Sequence, residues 1–590
     1  MILQALVSYY ETLAARGELP QPGWAPVKVS YVLNLDDQGD ITTVVCIKEE
    51  VTRGKKKALV PQIIQLPAPV KRTAGVTANF LCDNSSYILG ADKKGKPKRS
   101  LECFQACKTL HETLLVSVEE PAARALLSFF DHWQPEKLTE HPAFAHQDME
   151  DLLASANLIF RYRGRYLHEI PAIRQAWQDY YNNSQDSQDS QQFPCLVTGK
   201  LAPVAQLHPS IKGIYGAQSS GASLVSFNAP AFCSYDRKQG LNAPTSQYAA
   251  FAYGAALNYL IATQNTRVGD VTLLFWAESG EEAYADALKR FGFGGGDEDD
   301  QYKEEDLKGL MESLAEGADV EWDGTRIDPN MTFYILGISP NAARLSVRFF
   351  LRNSFGQFIR SVKAHYDRLE ITEAGSKSFS HVPVWRMLQE TVRSNPKDKS
   401  KSQLVANMTA ETVQSILTNT AYPTTLLNGV TLRIRADREM NRTRAAILKA
   451  YYLKNRNPFV PEEVLTVSLN PDSNNEAYIL GRMFSVLEAI QSDARKKDSK
   501  KEINATIRDK YFSSASATPG MVFPTLVNLA QKHLRKLDEG KKIFYDKQLT
   551  ELMSKLGETY PNRMNLPQQG AFQLGYYHQT QYRFTKKEDK

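Results

Sequence analysis

The sequence predicts an α+β chain of more than one domain, with a mixed α/β part containing antiparallel sheet followed by a helical bundle. Three observations carry this. At 590 residues the chain exceeds what one hydrophobic core holds. Strand signals, meaning period-two alternation and runs of β-branched and aromatic residues, end by about residue 360. From Phe355 onward helical periodicity dominates. The expected division is therefore 1–360 and 361–590, with a possible sub-boundary at 182–193. Within the second part, residues 467–590 read as a self-contained set of amphipathic helices.

The elements follow in order. "MILQALVSYYETLAA" reads as an amphipathic helix stopped by Gly17. "VKVSYVLNL" and "ITTVVCIK" alternate around "DDQGD", a hairpin signal. Two basic loops come next, "TRGKKK" and "DKKGKPKR", separated by Lys71–Gly90 with its short apolar pieces and small polar residues. Helical spacing runs from Leu101 to about Glu140 and again from Met149 to Tyr181. "NNSQDSQDSQQ" is a polar linker candidate. Pro194–Ala277 is dense in small residues, and Glu278–Asp323 is acidic and helical with a glycine break. "MTFYILGIS" and "RLSVRFFLR" read as two strands of one sheet. In the tail, Leu480, Met483, Phe484, Leu487 and Ile490 have bundle spacing. Over Phe523–Leu537 an apolar stripe of Phe523, Leu526, Val527, Ala530, Leu534 and Leu537 opposes Lys532, Arg535 and Lys536.

Composition narrows the class. With 42% hydrophobic and 23% charged residues the chain is globular, and no apolar run is long enough to span a membrane. The first residues lack the basic start and small-residue cleavage site of a secretory leader. Six scattered cysteines suit reduced thiols in a cytosol. The net charge of +5 conceals segregation: Gly481–Lys542 holds 13 Lys/Arg against 7 Asp/Glu, whereas "GGGDEDDQYKEED" is acidic. Basic segments of this kind suit a polyanionic partner.

Catalytic constellations are weak. Cys103, Cys107 and His111 share one helical face, but a second ligand pair for zinc is missing, and buried thiols account better for them. Asp270 and Glu278 lie on the same side of a strand by parity, as a magnesium nuclease would need with a third carboxylate. Cys195 has His208 thirteen residues on, with nothing in the sequence to lower the thiol's pKa. "GKKK" lacks the spacing of a phosphate loop, and no G-x-S-x-G elbow occurs. No cofactor is expected. Binding features recur instead. Basic loops stand beside Asn, Ser, Thr and Gly, and "AQSSGAS" offers backbone and hydroxyl groups with little bulk.

Several long segments in fixed order carry a resemblance. They are Cys195-Leu-Val-Thr-Gly199, His208-Pro-x-Ile-Lys-Gly213, Gly221-Ala-x-Leu-Val-Ser-Phe-Asn228 and Gln239-Gly-x-Asn-Ala-Pro244, then "GDVTLLFWAE", "AYILGRMFSVLEAIQ" and "DKYFSSASATPGMVFPTLV". Together they resemble the large subunit of the subtype I-C CRISPR surveillance complex, Cascade. Asp236 departs from the small residue expected in "CSYDRKQG", which argues against a tight turn there.

The resemblance implies a cytoplasmic, prokaryotic, non-catalytic subunit of a guide-RNA ribonucleoprotein acting in antiviral defence. It would read the protospacer-adjacent motif in target double-stranded DNA, help form the R-loop, and dock a helicase-nuclease. Its implied partners are the complex's backbone subunits and the subunit capping the guide's 5′ handle. Small subunits made from the C-terminal region by an internal start are implied as well; the residues favour Val467, just before the turn-rich "NPDSNNEA", with Met483 the alternative that would cut into the Leu480–Ile490 helix. For motif and DNA contacts the favoured residues are Lys71, Arg72, Thr73, Asn79 and Asn84, with Lys212, Gln218, Ser219 and Ser220. Lys532, Arg535 and Lys536 are assigned to the displaced strand. On the residues alone two alternatives stay open: a metal-dependent nuclease using Asp270 and Glu278, and a free-standing regulator that binds duplex DNA.

Overall fold

The computed structural model describes residues 1–53, 56–70, 72, 75–154, 156–185, 192–264, 266–293, 304–375, 382–393, 404–498 and 505–585. The chain forms two compact units, Met1–Pro209 with Val225–Leu257 and Ser210–Leu224 with Asn258–Lys590. The architecture is α+β, with sheets in the N-terminal part and helices throughout the C-terminal part.

In the first unit the hairpin forms, Tyr31–Leu35 pairing antiparallel with Ile41–Cys46. The first strand read from the sequence is in fact two. Trp24–Val29 pairs with Gln62–Pro67 in a separate ribbon, and only Tyr31–Leu35 joins the main sheet. There it lies parallel to Asn157–Tyr162, which also pairs antiparallel with Cys82–Asn84 and with the short Arg165–Tyr166.

The strand Asn157–Tyr162 corrects the helical reading of 149–181. The α-helices here are Met149–Leu153 and Pro171–Gln185, with one 3-10 turn at Leu167–Glu169. Leu158, Ile159 and Phe160 are all buried, so this central strand lacks the alternation that betrays a half-buried one. Phe104 and Cys107 of helix Pro97–Leu115 and Phe129 of helix Pro121–His132 meet Leu33 and Phe160 in the core.

In the second unit the sheet order is Ser210–Ile211, Ala222–Ser223, Arg344–Ser354, Thr332–Asn341, Val271–Ala277, Arg267–Val268. The long pair Thr332–Asn341 and Arg344–Ser354 is the one read from the sequence. Every residue of Val271–Ala277 is buried. Phe275 and Phe333 of this sheet share one apolar core with Ile359, Phe484 and Phe572 of the following helices.

Helix Glu476–Asp498 extends the expected 480–490 segment in both directions. It is buried around most of its girth, Tyr478, Ile479, Arg482 and Ser485 as well as the apolar stripe. It therefore acts as a central rod, not a surface helix. It crosses Leu566–Phe584 at two glycines: a Cβ on Gly481 would sit 1.9 Å from the Phe572 carbonyl oxygen, and one on Gly575 2.1 Å from that of Tyr478. Helix Pro519–Leu534 buries Phe523, Leu526, Ala530 and Leu534 of the expected stripe and half-buries Val527, but it ends at Leu534, so Arg535, Lys536 and Leu537 follow it.

Candidate nucleic-acid interface

The first unit brings the basic loop Asp92–Arg99 to the Arg72–Asn84 segment around a cleft of about 780 Å³. Local chemistry explains how. Pro97 opens helix Pro97–Leu115, which fixes where the loop ends. Gly95, at φ 63, lets the loop turn back. Lys93, Lys94, Lys96 and Arg99 are exposed there, and the cleft is lined by five Lys/Arg against the single acid Asp92. Lys93 pairs with Glu150. Lys94, Lys96 and Arg99 have no carboxylate partner among the described residues, although Arg99 donates to the Gly75 carbonyl at 3.1 Å.

The opposite wall is organised by a buried carboxylate. Asp83, 1% exposed, accepts from both terminal nitrogens of Arg72 and from the backbone N–H of Asn79 and Asn84. The Arg72 guanidinium also lies 3.9 Å from the Tyr87 ring centroid. Arg72 thus ties the segment down from within. Asn84 caps helix Ser85–Ile88 through its Oδ1, on the Ser86 N–H at 3.0 Å. Its Nδ2 has no partner among the described residues, and Asn84 lines the cleft. Asn79 accepts from the Val70 N–H at 2.9 Å and lines a different groove, with Val70, Leu101, Trp177 and Tyr180. Asn84 therefore shares a site with Lys93, Lys94, Lys96 and Arg99, whereas the groove of Asn79 takes only Lys98 from that basic segment. Lys71 and Thr73 lie outside the described residues.

The other candidates belong to the second unit. Lys212, Gln218, Ser219 and Ser220 are exposed on the loop closing Ser210–Ile211 onto Ala222–Ser223. Gly221 is required there: at φ 94, its Cβ would meet the Ser210 Oγ at 2.2 Å. The glycine-rich stretch is a hairpin loop that holds its polar residues outward. Lys532, Arg535 and Lys536 are all exposed.

The enzymatic alternatives fare differently. Asp270 and Glu278 flank strand Val271–Ala277, and eight extended residues separate them by about 26 Å, too far to share a metal ion. Asp270 instead faces Arg348 at 3.6 Å. His111 uses both ring nitrogens on backbone, Nδ1–H donating to the Cys107 carbonyl at 2.8 Å and Nε2 accepting from the Leu81 N–H at 3.0 Å. Among the described residues no group of three His, Cys, Asp or Glu is placed to hold a metal.

Cys195 corrects the expectation of an ordinary thiol. Burial pushes its pKa up, but hydrogen bonds from Ser246 and Thr198 outweigh this and bring it to about 7. The Sγ accepts N–H groups of Val197, Thr198 and Ser246 at 3.2–3.4 Å. A chain contact 51 residues away has no trace in the local sequence. His208 hydrogen-bonds the Tyr253 hydroxyl at 2.7 Å.

Among the described residues no helix is long and apolar enough to cross a membrane. A family model described as CRISPR-associated protein (Cas_Csd1) matches residues 6–584. No curated protein matches the chain.

Proposed function

The chain belongs to the Cas_Csd1 family of CRISPR-associated proteins, and from that premise we propose that it is the non-catalytic large subunit of a subtype I-C guide-RNA surveillance complex. Its task is to read the protospacer-adjacent motif in duplex DNA, help open the duplex and recruit the helicase-nuclease. In this division of labour guide pairing reads the sequence, while protein reads the motif and grips the backbone.

One observation carries the reading: Lys94, Lys96 and Arg99, without a carboxylate partner among the described residues, line one cleft with the Asn84 amide. The cations suit phosphates and the amide suits a base edge. Arg72 is a positioning residue, since Asp83 and Tyr87 already hold it. Lys532, Arg535 and Lys536 are proposed to follow the displaced strand. The C-terminal helices are proposed to serve also as a separate small subunit.

The test uses the assembled complex with targets that carry or lack the correct flanking motif. Asn84→Ser keeps a capping hydroxyl but loses the Nδ2 donor. It is expected to cost about 1–3 kcal/mol of discrimination between the two targets. Asn79→Ala, which alters a different groove, is expected to leave discrimination unchanged. Bound DNA should stay uncut in the presence of Mg²⁺. Equal discrimination by the Asn84→Ser complex would remove Asn84 from motif reading, and Mg²⁺-dependent cutting by this chain would refute the non-catalytic assignment.

A further inference from the structure

We propose that the Gly213–Gly221 loop is a stacking platform for an unpaired DNA strand, with Tyr215 taking the face of a base and Arg267 and Lys212 the flanking phosphates. The proposal rests on the reading that this chain accommodates opened target DNA.

Tyr215 is 67% exposed, although its neighbour Ile214 is buried. The Arg267 guanidinium stacks on the Tyr215 ring, 3.8 Å from the centroid. One face of the ring is thus covered by a cation, which leaves the other face of this exposed side chain as the one to receive a base. An arginine behind an aromatic ring holds the ring in place and adds positive charge beside it. Neither Arg267 nor Lys212 has a carboxylate partner among the described residues, and both are exposed.

The loop is preorganised. The Lys212 N–H donates to the Asn258 Oδ1 at 2.9 Å, and the Ser210 Oγ donates to the Ser220 carbonyl at 2.9 Å. Internal bonds from the Ala217 N–H to the Ile214 carbonyl and from the Gly221 N–H to the Gln218 carbonyl close two successive turns. Gly213 packs near Ile261, and Gly216 near Pro340. Tyr215 projects from a fixed bend, so binding would order little further chain.

An open aromatic face next to two unneutralised cations and the hydroxyls of Ser219 and Ser220 selects a ligand with a free π face and regular negative charge. Unpaired nucleic acid has both. In a duplex each interior base is already stacked on both faces, so a duplex would meet only the cations. Base stacking of this kind tolerates any sequence and is salt-dependent.

The experiment uses the full chain with labelled oligo-dT, oligo-U and duplex DNA, and an oligo-dT carrying one 2-aminopurine whose fluorescence falls on stacking. Tyr215→Ala is expected to weaken oligo-dT binding about 10-fold and to abolish the fluorescence loss, with duplex affinity and thermal midpoint unchanged. Tyr215→Phe should behave as the parent. Parent-like binding by Tyr215→Ala, or an equal loss on duplex, would overturn the platform. Tighter binding of oligo-U than of oligo-dT would overturn the assignment to DNA. If the parent chain passes the oligo-dT test while the assembled complex shows no motif preference, the function proposed above fails and the platform stands.

Discussion

Gly481→Ala should destabilise the second unit by about 3 kcal/mol, at the upper end of what an inserted methyl costs in a packed core. The new Cβ would fall 1.9 Å from the Phe572 carbonyl oxygen and 2.8 Å from the Tyr576 nitrogen. Both obstacles are backbone of helix Leu566–Phe584, so no rotamer change relieves the clash. The helices must separate along a crossing that also packs Phe484 against Phe572 and Tyr576. Gly575→Ala should behave alike, because its Cβ meets the Tyr478 carbonyl at 2.1 Å. Gly309→Ala is the control. It lies in helix Glu304–Glu316 with nothing within 4 Å of its Cβ, and it should stabilise by about 0.5–1 kcal/mol. Thermal or denaturant unfolding of the three variants reads this. A Gly481→Ala midpoint equal to that of the parent would contradict the close crossing.

Acid should unfold this protein from well above the carboxylate range. His111, His365 and His578 are each no more than 2% exposed. Burial lowers the pKa of His111 to about 4 and those of His365 and His578 to about 3, with the charges of Arg368 and Lys449 adding to the last two. Nδ1 of His365 bonds the Tyr422 hydroxyl at 2.6 Å and that of His578 the Tyr478 hydroxyl at 2.8 Å, while the Nε2 of both is buried without a hydrogen-bond partner among the described residues. The folded pKa values lie below the ordinary value near 6.5, so as pH falls the unfolded chain takes up protons first. The stabilising contribution is complete above about pH 6.5 and declines as pH drops toward the folded values. At pH 5.5 each histidine has cost roughly 1 kcal/mol, and at pH 5 roughly 2 kcal/mol. Two of them lie in the second unit, so its loss by pH 5 is about 4 kcal/mol, a large part of a typical stability. His365→Gln and His578→Gln should each flatten the decline between pH 7 and 5.5, whatever they cost at pH 7. Unfolding free energies that stay level across that interval would contradict the neutral buried imidazoles.

The legible parts of the fold were those whose pattern is local. The hairpin at Asp36–Asp40, the pair Thr332–Asn341 and Arg344–Ser354, and the stripe of helix Pro519–Leu534 each repeat with a period visible in a short window. Asn157–Tyr162 was hidden because burial on both faces removes alternation. The turn at Ser234–Arg237 forms despite Asp236. Tyr235 and Asp236 both take positive φ, 52 and 56, and the Arg237 N–H closes onto the Ser234 carbonyl at 3.0 Å. Aspartate tolerates that region better than most residues, so the departure from a small residue was no obstacle.

For the interface, the basic loop and Asn84 were both visible as residues, but their meeting across one cleft is a property of the folded chain. Asp83 is the residue the sequence concealed, since a lone acid between a cysteine and an asparagine gives no sign that it will be buried and bind an arginine. Tyr215 was concealed likewise. Its stacking partner Arg267 lies 52 positions away, on a strand of only two residues.

The direct measurement of whether the Lys94, Lys96 and Arg99 cleft grips duplex DNA is the salt dependence of target binding by the assembled complex. Each phosphate contact contributes about 0.9 to the slope of log affinity against log salt. Replacing all three residues by alanine should therefore reduce that slope by about 2.7 and weaken binding of targets with and without the correct motif alike. A triple-alanine complex that binds with the parent's affinity and slope would show that duplex DNA does not lie in this cleft.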